Sequence, residues 1–335
     1  KEHDNNYISH SGTFNTWYTF DRRLTFRFRD YLIRSDELRE NEYSATAIPG
    51  EYLLSTQTRR VIYIRNVAEP SIEYQFGRDD RISINYRNNI YRVESRLYED
   101  SREDYINPKL SYWFDIRNGV SLEYGLTLGH FQRSPDLLGH MATGRYTYRF
   151  NPKTSIFGEY SFMRRDFEPP SVDYDVHRPS LGIDHAFSPT LSGRVQAGYF
   201  WQKPERGSAT DGPFLDMSLT QRAEKTTYTL HLQGGYTEDY FTSENLGFTK
   251  YYRGVGTITH LLLERMTVGL TGTIERAEYS SDQKDWTWGI NGNVSYLLLK
   301  WLSLSLEGSH RENNSNIDNF DYSEYRGIFR ITASF

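Results

Sequence analysis

The chain has 335 residues, 52 of them aromatic, and its 44 acidic and 39 basic side chains leave a net charge of −5. That balance excludes the strong basic excess of a nucleic-acid-binding protein, and the absence of cysteine excludes disulfide frameworks, thiolate metal sites and cysteine nucleophiles. Mean hydropathy is −0.71 and no run approaches 18 apolar residues, so no segment reads as a membrane-spanning helix.

The aromatic content is unusual for so polar a chain. A disordered polar chain lacks such aromatics, and a soluble core this rich in Tyr and Phe would carry more Leu, Ile and Val. Strands with one polar face and one apolar-aromatic face give this mixture, as in a transmembrane β-barrel. The chain opens Lys1-Glu2-His3 without an apolar core, as expected of a mature or truncated chain that has lost an export signal.

Period 2 dominates from end to end. In 62–76, Ile62, Ile64, Ala68, Ile72, Tyr74 and Phe76 alternate with Tyr63, Arg65, Glu69, Glu73 and Gln75. In 106–117, Ile106, Leu110, Tyr112, Phe114 and Ile116 alternate with Asn107, Lys109, Ser111, Asp115 and Arg117. In 286–296, Trp286, Trp288, Ile290, Val294 and Tyr296 alternate with Thr287, Asn291, Asn293 and Ser295. The pattern predicts 17 strands, near 8–20, 22–34, 60–76, 81–95, 105–117, 120–132, 139–150, 155–167, 173–187, 191–202, 213–222, 226–238, 247–261, 266–277, 285–297, 302–311 and 322–335.

Short turns are expected near 21, 78, 118, 152, 189, 224, 264 and 299, with Asn118-Gly119 as a two-residue hairpin turn. Longer polar connections are expected at 36–58, 97–104, 164–171, 203–212, 238–246, 277–285 and 311–321. Short turns at one end and long loops at the other match an up-and-down outer-membrane barrel with periplasmic turns and extracellular loops. No linker divides the chain, so 1–335 reads as a single barrel domain of 16–18 strands. Bacterial barrels are even-numbered, so the odd count of 17 predicts one strand upstream of Lys1 and about 18 in the complete barrel.

Three features favour a membrane barrel over a soluble sandwich. The expected strands are longer than the roughly 5–6 residues usual in soluble sheets. The apolar face carries many Gly, Ala and Tyr residues that a packed core would leave with cavities. Tyr18, Phe20, Phe76, Phe114, Phe150, Phe187, Trp301 and Phe335 gather near the short turns, as in an interfacial girdle.

The opposite face then lines the lumen. Candidate pore-lining residues are Arg27, Arg29, Arg65, Glu69, Glu73, Arg87, Lys109, Asp115, Glu123, Arg145, Arg149, Glu159, Arg194, Arg253, Glu275, Glu307, Arg326 and Arg330. Arginine dominates the basic set, with 31 in the chain against eight lysines. Two compatible readings follow. An Arg-rich wall attracts anionic or hydroxyl-rich solutes, with Trp113 and Phe200 stacking on sugar rings. Alternatively, Arg and Glu form cross-strand ladders that stiffen the wall.

Catalytic and metal signatures are missing from the sequence. The nine histidines are scattered, and neither a His-Glu-x-x-His motif, a P-loop nor a nucleophile elbow occurs. The acidic stretches 99–104 and 318–321 do not match an EF-hand and read as solvated loops. The expectation is a protein that is not an enzyme and holds neither cofactor nor metal. The chain ends Gly327-Ile328-Phe329-Arg330-Ile331-Thr332-Ala333-Ser334-Phe335. Phe329, Ile331 and the terminal Phe335 resemble the insertion signal that the barrel-assembly machinery reads in a last strand.

The runs Tyr86–Tyr91, Arg145–Thr154 and Ser180–Leu191 resemble a bacterial family of outer-membrane β-barrels associated with PEP-CTERM/exosortase and exopolysaccharide gene clusters. The resemblance covers most of the chain and rests on strand-and-turn patterns. It implies a barrel without catalytic residues, an N-terminal portion upstream of Lys1, and a role in passing or anchoring extracellular polysaccharide.

The resulting expectation is a channel in the bacterial outer membrane for exopolysaccharide export or polar solutes. Its partners are outer-membrane lipid, the assembly machinery through the C-terminal strand, and polysaccharide or a periplasmic export protein, with no nucleic acid. The rival is a structural sleeve that encloses or docks an export component, a lipoprotein or a multihaem cytochrome.

Overall fold

The computed structural model describes residues 10–35, 61–95, 98–241 and 247–333. These contain 17 strands: β1 His10–Phe20, β2 Leu24–Ser35, β3 Tyr63–Gln75, β4 Arg81–Val93, β5 Ser101–Trp113, β6 Asn118–Phe131, β7 Leu137–Asn151, β8 Thr154–Phe167, β9 Tyr174–Ala186, β10 Leu191–Pro204, β11 Thr210–Arg222, β12 Thr226–Asp239, β13 Gly247–Leu263, β14 Met266–Tyr279, β15 Lys284–Leu299, β16 Leu302–Ser315 and β17 Tyr322–Ala333. A 3₁₀ turn at Asp318–Phe320 precedes β17.

Each strand pairs antiparallel with its chain neighbours, from β1–β2 to β16–β17, in one 17-stranded sheet. Antiparallel neighbours and an odd count make β1 and β17 run in the same direction. Among the described residues no hydrogen-bonded register joins these two strands. The strand expected upstream of Lys1 lies outside the described residues.

The strand count matches the period-2 reading, and most boundaries agree within a few residues. Three of the prolines in strands leave their mark on the ladders. The register skips at Pro70 between β3 and β4, at Pro108 between β5 and β6, and at Pro179 between β9 and β10. Proline has no N–H to donate, and at Pro108 the gap is filled from the side: Asn107 Nδ2 donates to the Tyr124 carbonyl at 2.9 Å.

Four expectations are corrected. The strand expected over 105–117 is β5, Ser101–Trp113, and the acidic stretch 101–104 belongs to it. Those charges are accommodated because Glu103 pairs with Arg87 at 2.6 Å and Asp104 accepts from Asn88 at 2.8 Å, both on β4. Asn118-Gly119 is not the turn; it starts β6, with Gly119 opposite Trp113. The turn is 114–117, because the Asp115 carboxylate accepts from Arg117 N at 2.6 Å, Asn118 N at 2.8 Å and Asn118 Nδ2 at 2.8 Å. Finally, the connections at 205–209 and 280–283 are shorter than expected, because β10, β11, β14 and β15 extend further.

Contacts between strands that are not neighbours identify the concave face. Arg165 on β8 reaches Glu238 on β12, and Phe131 on β6 stacks on Phe241, which follows β12. The opposite face is apolar and exposed, with Leu122, Leu181, Ile183, Leu230, Leu270, Ile274, Trp288, Ile290 and Leu306 along it. Towards the short turns that face ends in rings. Tyr18–Phe20, Phe76–Tyr112, Tyr112–Phe114 and Tyr148–Phe150 are in aromatic contact, and Phe187 and Trp301 are exposed beside them. Apolar sides of strands lie outward against hydrocarbon, and amphipathic rings mark its boundary. Phe335 lies outside the described residues.

Candidate functional site: the inner face

All the candidate lumen residues except Asp115 lie on the concave face. The register shows why: Arg29 opposes Glu69, Lys109 opposes Glu123, Arg145 opposes Glu159, and Arg253 opposes Glu275. Residues directly opposite share a face, so the period-2 alternation turns each Arg toward an acid on the next strand. Asp115 instead caps the β5–β6 turn, and the Arg117 N–H with the Asn118 donors holds its carboxyl below the usual range.

Most inner charges are paired across strands. Arg27–Glu73 and Arg29–Glu69 lie at 3.7 Å, Lys109–Glu123 at 3.3 Å, Arg194–Asp184 at 3.8 Å, and Arg253 and Glu275 are in direct contact. Arg65 Nε donates to Asn89 at 3.0 Å, and Asn291 Nδ2 donates to Glu307 at 2.7 Å. Arg326 and Arg330 oppose Ser309 and Ser305 on β16. The densest cluster centres on Glu159. It accepts from Arg145 Nε at 2.8 Å, Arg178 Nη2 at 3.3 Å and Gln196 Nε2 at 3.0 Å. Several guanidinium groups also lie over rings: Arg145 and Arg194 over Phe157 at 4.4 and 4.7 Å, and Arg178 over Phe214 at 4.4 Å.

At the short-turn end the inner wall borders a cavity of about 1230 Å³, lined by residues from β3–β4 turn to β11 that include Arg78, Trp113, Arg117, Arg149, Lys153 and Arg194. Arg149 lies 3.4 Å from the Trp113 ring centroid, and its Nη1 is 3.0 Å from Asp79. The acids here are largely engaged: Asp79 with Arg149, Asp80 with Trp113 N at 2.7 Å, and Asp115 with its own turn. Arg78, Arg117 and Lys153, on three successive turns, form no ion pair among the described residues.

Both aromatic expectations change. Trp113 lines the cavity, but Arg149 already covers its ring. Phe200 is 0% exposed and packs against Tyr236 and Phe248, so it is not free to stack on a solute.

At the loop end the inner face is filled. Met163, Tyr174, Val176, Phe200 and Phe248 form a cluster with Phe167, Tyr236 and Tyr240 against it. Arg165, Tyr174 and Glu238 in this region carry no local signal that sets them apart in the sequence; only the fold brings them together. Tyr240 lies beyond β12, and burial together with the Glu238 charge pushes its phenol well up. Among the described residues no group of three or more His, Asp or Glu is placed to hold a metal ion.

The sheet, its lipid-compatible outer face and its polar inner face fit a bacterial outer-membrane β-barrel. Residues 132–335 match the family described as "Putative beta-barrel porin 2", and the chain belongs to that family. Among solved structures it is similar to the copper transporter OprC, at 10% identity and a TM-score of 0.57 over 97% of this chain and 62% of that one. It is also similar to the FrpB iron transporter from Neisseria meningitidis, at 7% identity and a TM-score of 0.59 over 92% of this chain and 59% of that one. The ferric enterobactin receptor PfeA from Pseudomonas aeruginosa matches at 8% identity with a TM-score of 0.56, over 96% of this chain and 69% of that one. At these identities the likeness is one of fold, and the chain spans less than two-thirds of the length of OprC and of FrpB. Among curated proteins none matches the sequence.

Proposed function

We propose that the protein is an outer-membrane channel for polar solutes, and that acidic carbohydrate, exported polysaccharide included, is the substrate class it suits best. One observation carries this reading. The cavity at the short-turn end is lined by Arg78, Arg117 and Lys153, which form no ion pair among the described residues, while the acids around them are held by Arg149, Arg194 and backbone donors. Neighbouring short turns are two strand spacings apart, about 10 Å. The three cations therefore form a row that matches a chain of spaced negative charges. Elsewhere most inner charges pair across strands, which leaves the wall polar and weakens its overall sign.

Single-channel recording in planar bilayers tests this. A steady step conductance, reduced by an acidic polysaccharide and not by a neutral one, supports the reading. A silent bilayer from protein with normal heat-modifiable gel mobility contradicts it and favours a sleeve that encloses a partner protein.

A further inference from the structure

The loop end of β12 makes contacts that a simple barrel wall forbids. Arg165 Nη2 and Nε on β8 lie 2.6 and 3.0 Å from Glu238 Oε2 on β12, and both side chains are 12% exposed. The Tyr174 hydroxyl, on β9, donates to the same carboxylate and lies 2.6 Å from the Tyr240 hydroxyl. Phe241 stacks on Phe131 of β6 with ring centroids 5.4 Å apart. Adjacent strands are about 4.8 Å apart, so β8 and β12 are separated along the wall by about 19 Å, and β6 and β12 by about 29 Å. An extended Arg and Glu joined by a hydrogen bond span only about 15 Å between their Cα atoms, and two stacked Phe rings about the same. The end of β12 therefore leans across the bore.

The backbone shows where the lean begins. Gly235 has φ +149°, a conformation that side chains rarely adopt. Below it Gln233 opposes Asp216 on the inner face, whereas above it Tyr236, of opposite parity, packs on inner Phe200 with centroids 5.1 Å apart. The inward-facing set changes at this glycine.

We propose that Tyr236–Phe241 is the constriction of the channel, and that the Arg165–Glu238 pair, held by Tyr174 and Tyr240, determines which solutes cross it. This rests on the channel reading above. The pair contributes no net charge to the narrowest section. Removing either partner leaves the other as a bare charge in a confined space, where it selects ions by sign.

The test has two independent readouts. The first is geometric. The chain has no cysteine, so F131C/F241C treated with a short bifunctional thiol reagent in membranes gives an unambiguous internal crosslink, seen as faster migration of the denatured chain. The second is functional. Glu238→Gln shifts the reversal potential in a salt gradient toward anion selectivity, and Arg165→Gln shifts it toward cation selectivity. The double exchange R165E/E238R restores the parent value, and R165A/E238A raises conductance roughly twofold or more. Heat-modifiable mobility identifies variants that have folded.

The crosslink together with opposed shifts supports the proposal. Conducting variants whose reversal potentials do not move, or a folded cysteine pair that does not crosslink, overturn the constriction and leave the channel reading intact. A crosslink that forms while no variant conducts removes the channel reading, and the constriction with it.

Discussion

Glu159→Gln probes how the inner wall is held together. The substitution keeps the shape of the side chain and removes its charge. Glu159 is 6% exposed and serves Arg145, Arg178 and Gln196 together. Charged hydrogen bonds are each worth about 1.5–3 kcal/mol, and breaking a buried pair costs about 3–5 kcal/mol. Arg145 and Arg178 retain some access to the wet lumen and lie over Phe157 and Phe214, which offsets part of that loss. The expected cost is therefore about 2–4 kcal/mol. The matched control is Glu69→Gln. Glu69 is 32% exposed and meets Arg29 at 3.7 Å, so its loss costs about 1 kcal/mol or less. Urea unfolding of protein refolded into lipid vesicles, followed by tryptophan fluorescence, measures both. Equal costs for the two variants would refute the claim that the Glu159 cluster, rather than the ladders as a class, stabilises the wall.

Leu181 is 74% exposed at the middle of β9, flanked on the rungs by Gly158 and Ala197. Leu181→Arg places a charge in hydrocarbon and costs about 2–4 kcal/mol, while Ser218→Arg, facing the cavity, stays within about 1 kcal/mol by the same urea assay. Gly235→Ala forces a side chain into a strained conformation, with its Cβ 3.1 Å from Phe214; a loss of about 1–3 kcal/mol is expected, together with weaker F131C/F241C crosslinking. Asp115→Ala removes three accepted hydrogen bonds from the β5–β6 turn. Because the Asp115 carboxyl is held low in the fold, its contribution is present above the ordinary carboxylate range and is lost as pH falls through the folded value. The parent's unfolding midpoint should therefore fall in acid more steeply than that of the variant.

The strands were legible because one face of each must meet hydrocarbon. Alternations such as Trp286, Trp288 and Ile290 against Thr287 and Asn291 report that requirement locally. The segment 101–104 misled because Glu103 and Asp104 look solvated in isolation, yet their partners Arg87 and Asn88 stand on the preceding strand. Asn118-Gly119 misled for a similar reason: an aspartate three residues earlier supplies a better-capped turn. Which charged side chains share a face was also legible, since parity alone assigns it. Their pairing was not, because register depends on turn lengths that the period does not encode. The loop-end cluster was beyond sequence reading altogether. Arg165, Tyr174 and Glu238 meet across strands that are not all neighbours, and such a meeting has no periodic signature.

A sheet that separates water from lipid turns alternate residues to each. Single cysteines at 270–274 on β14, introduced into this cysteine-free chain, test it most directly. Leu270, Gly272 and Ile274 lie on the apolar face, and Thr271 and Thr273 lie between them on the polar one. In sealed lipid vesicles, a charged thiol reagent should modify T271C and T273C rapidly and leave L270C, G272C and I274C protected. Uniform reactivity along the strand, or protection at 271 and 273 instead, would contradict the account.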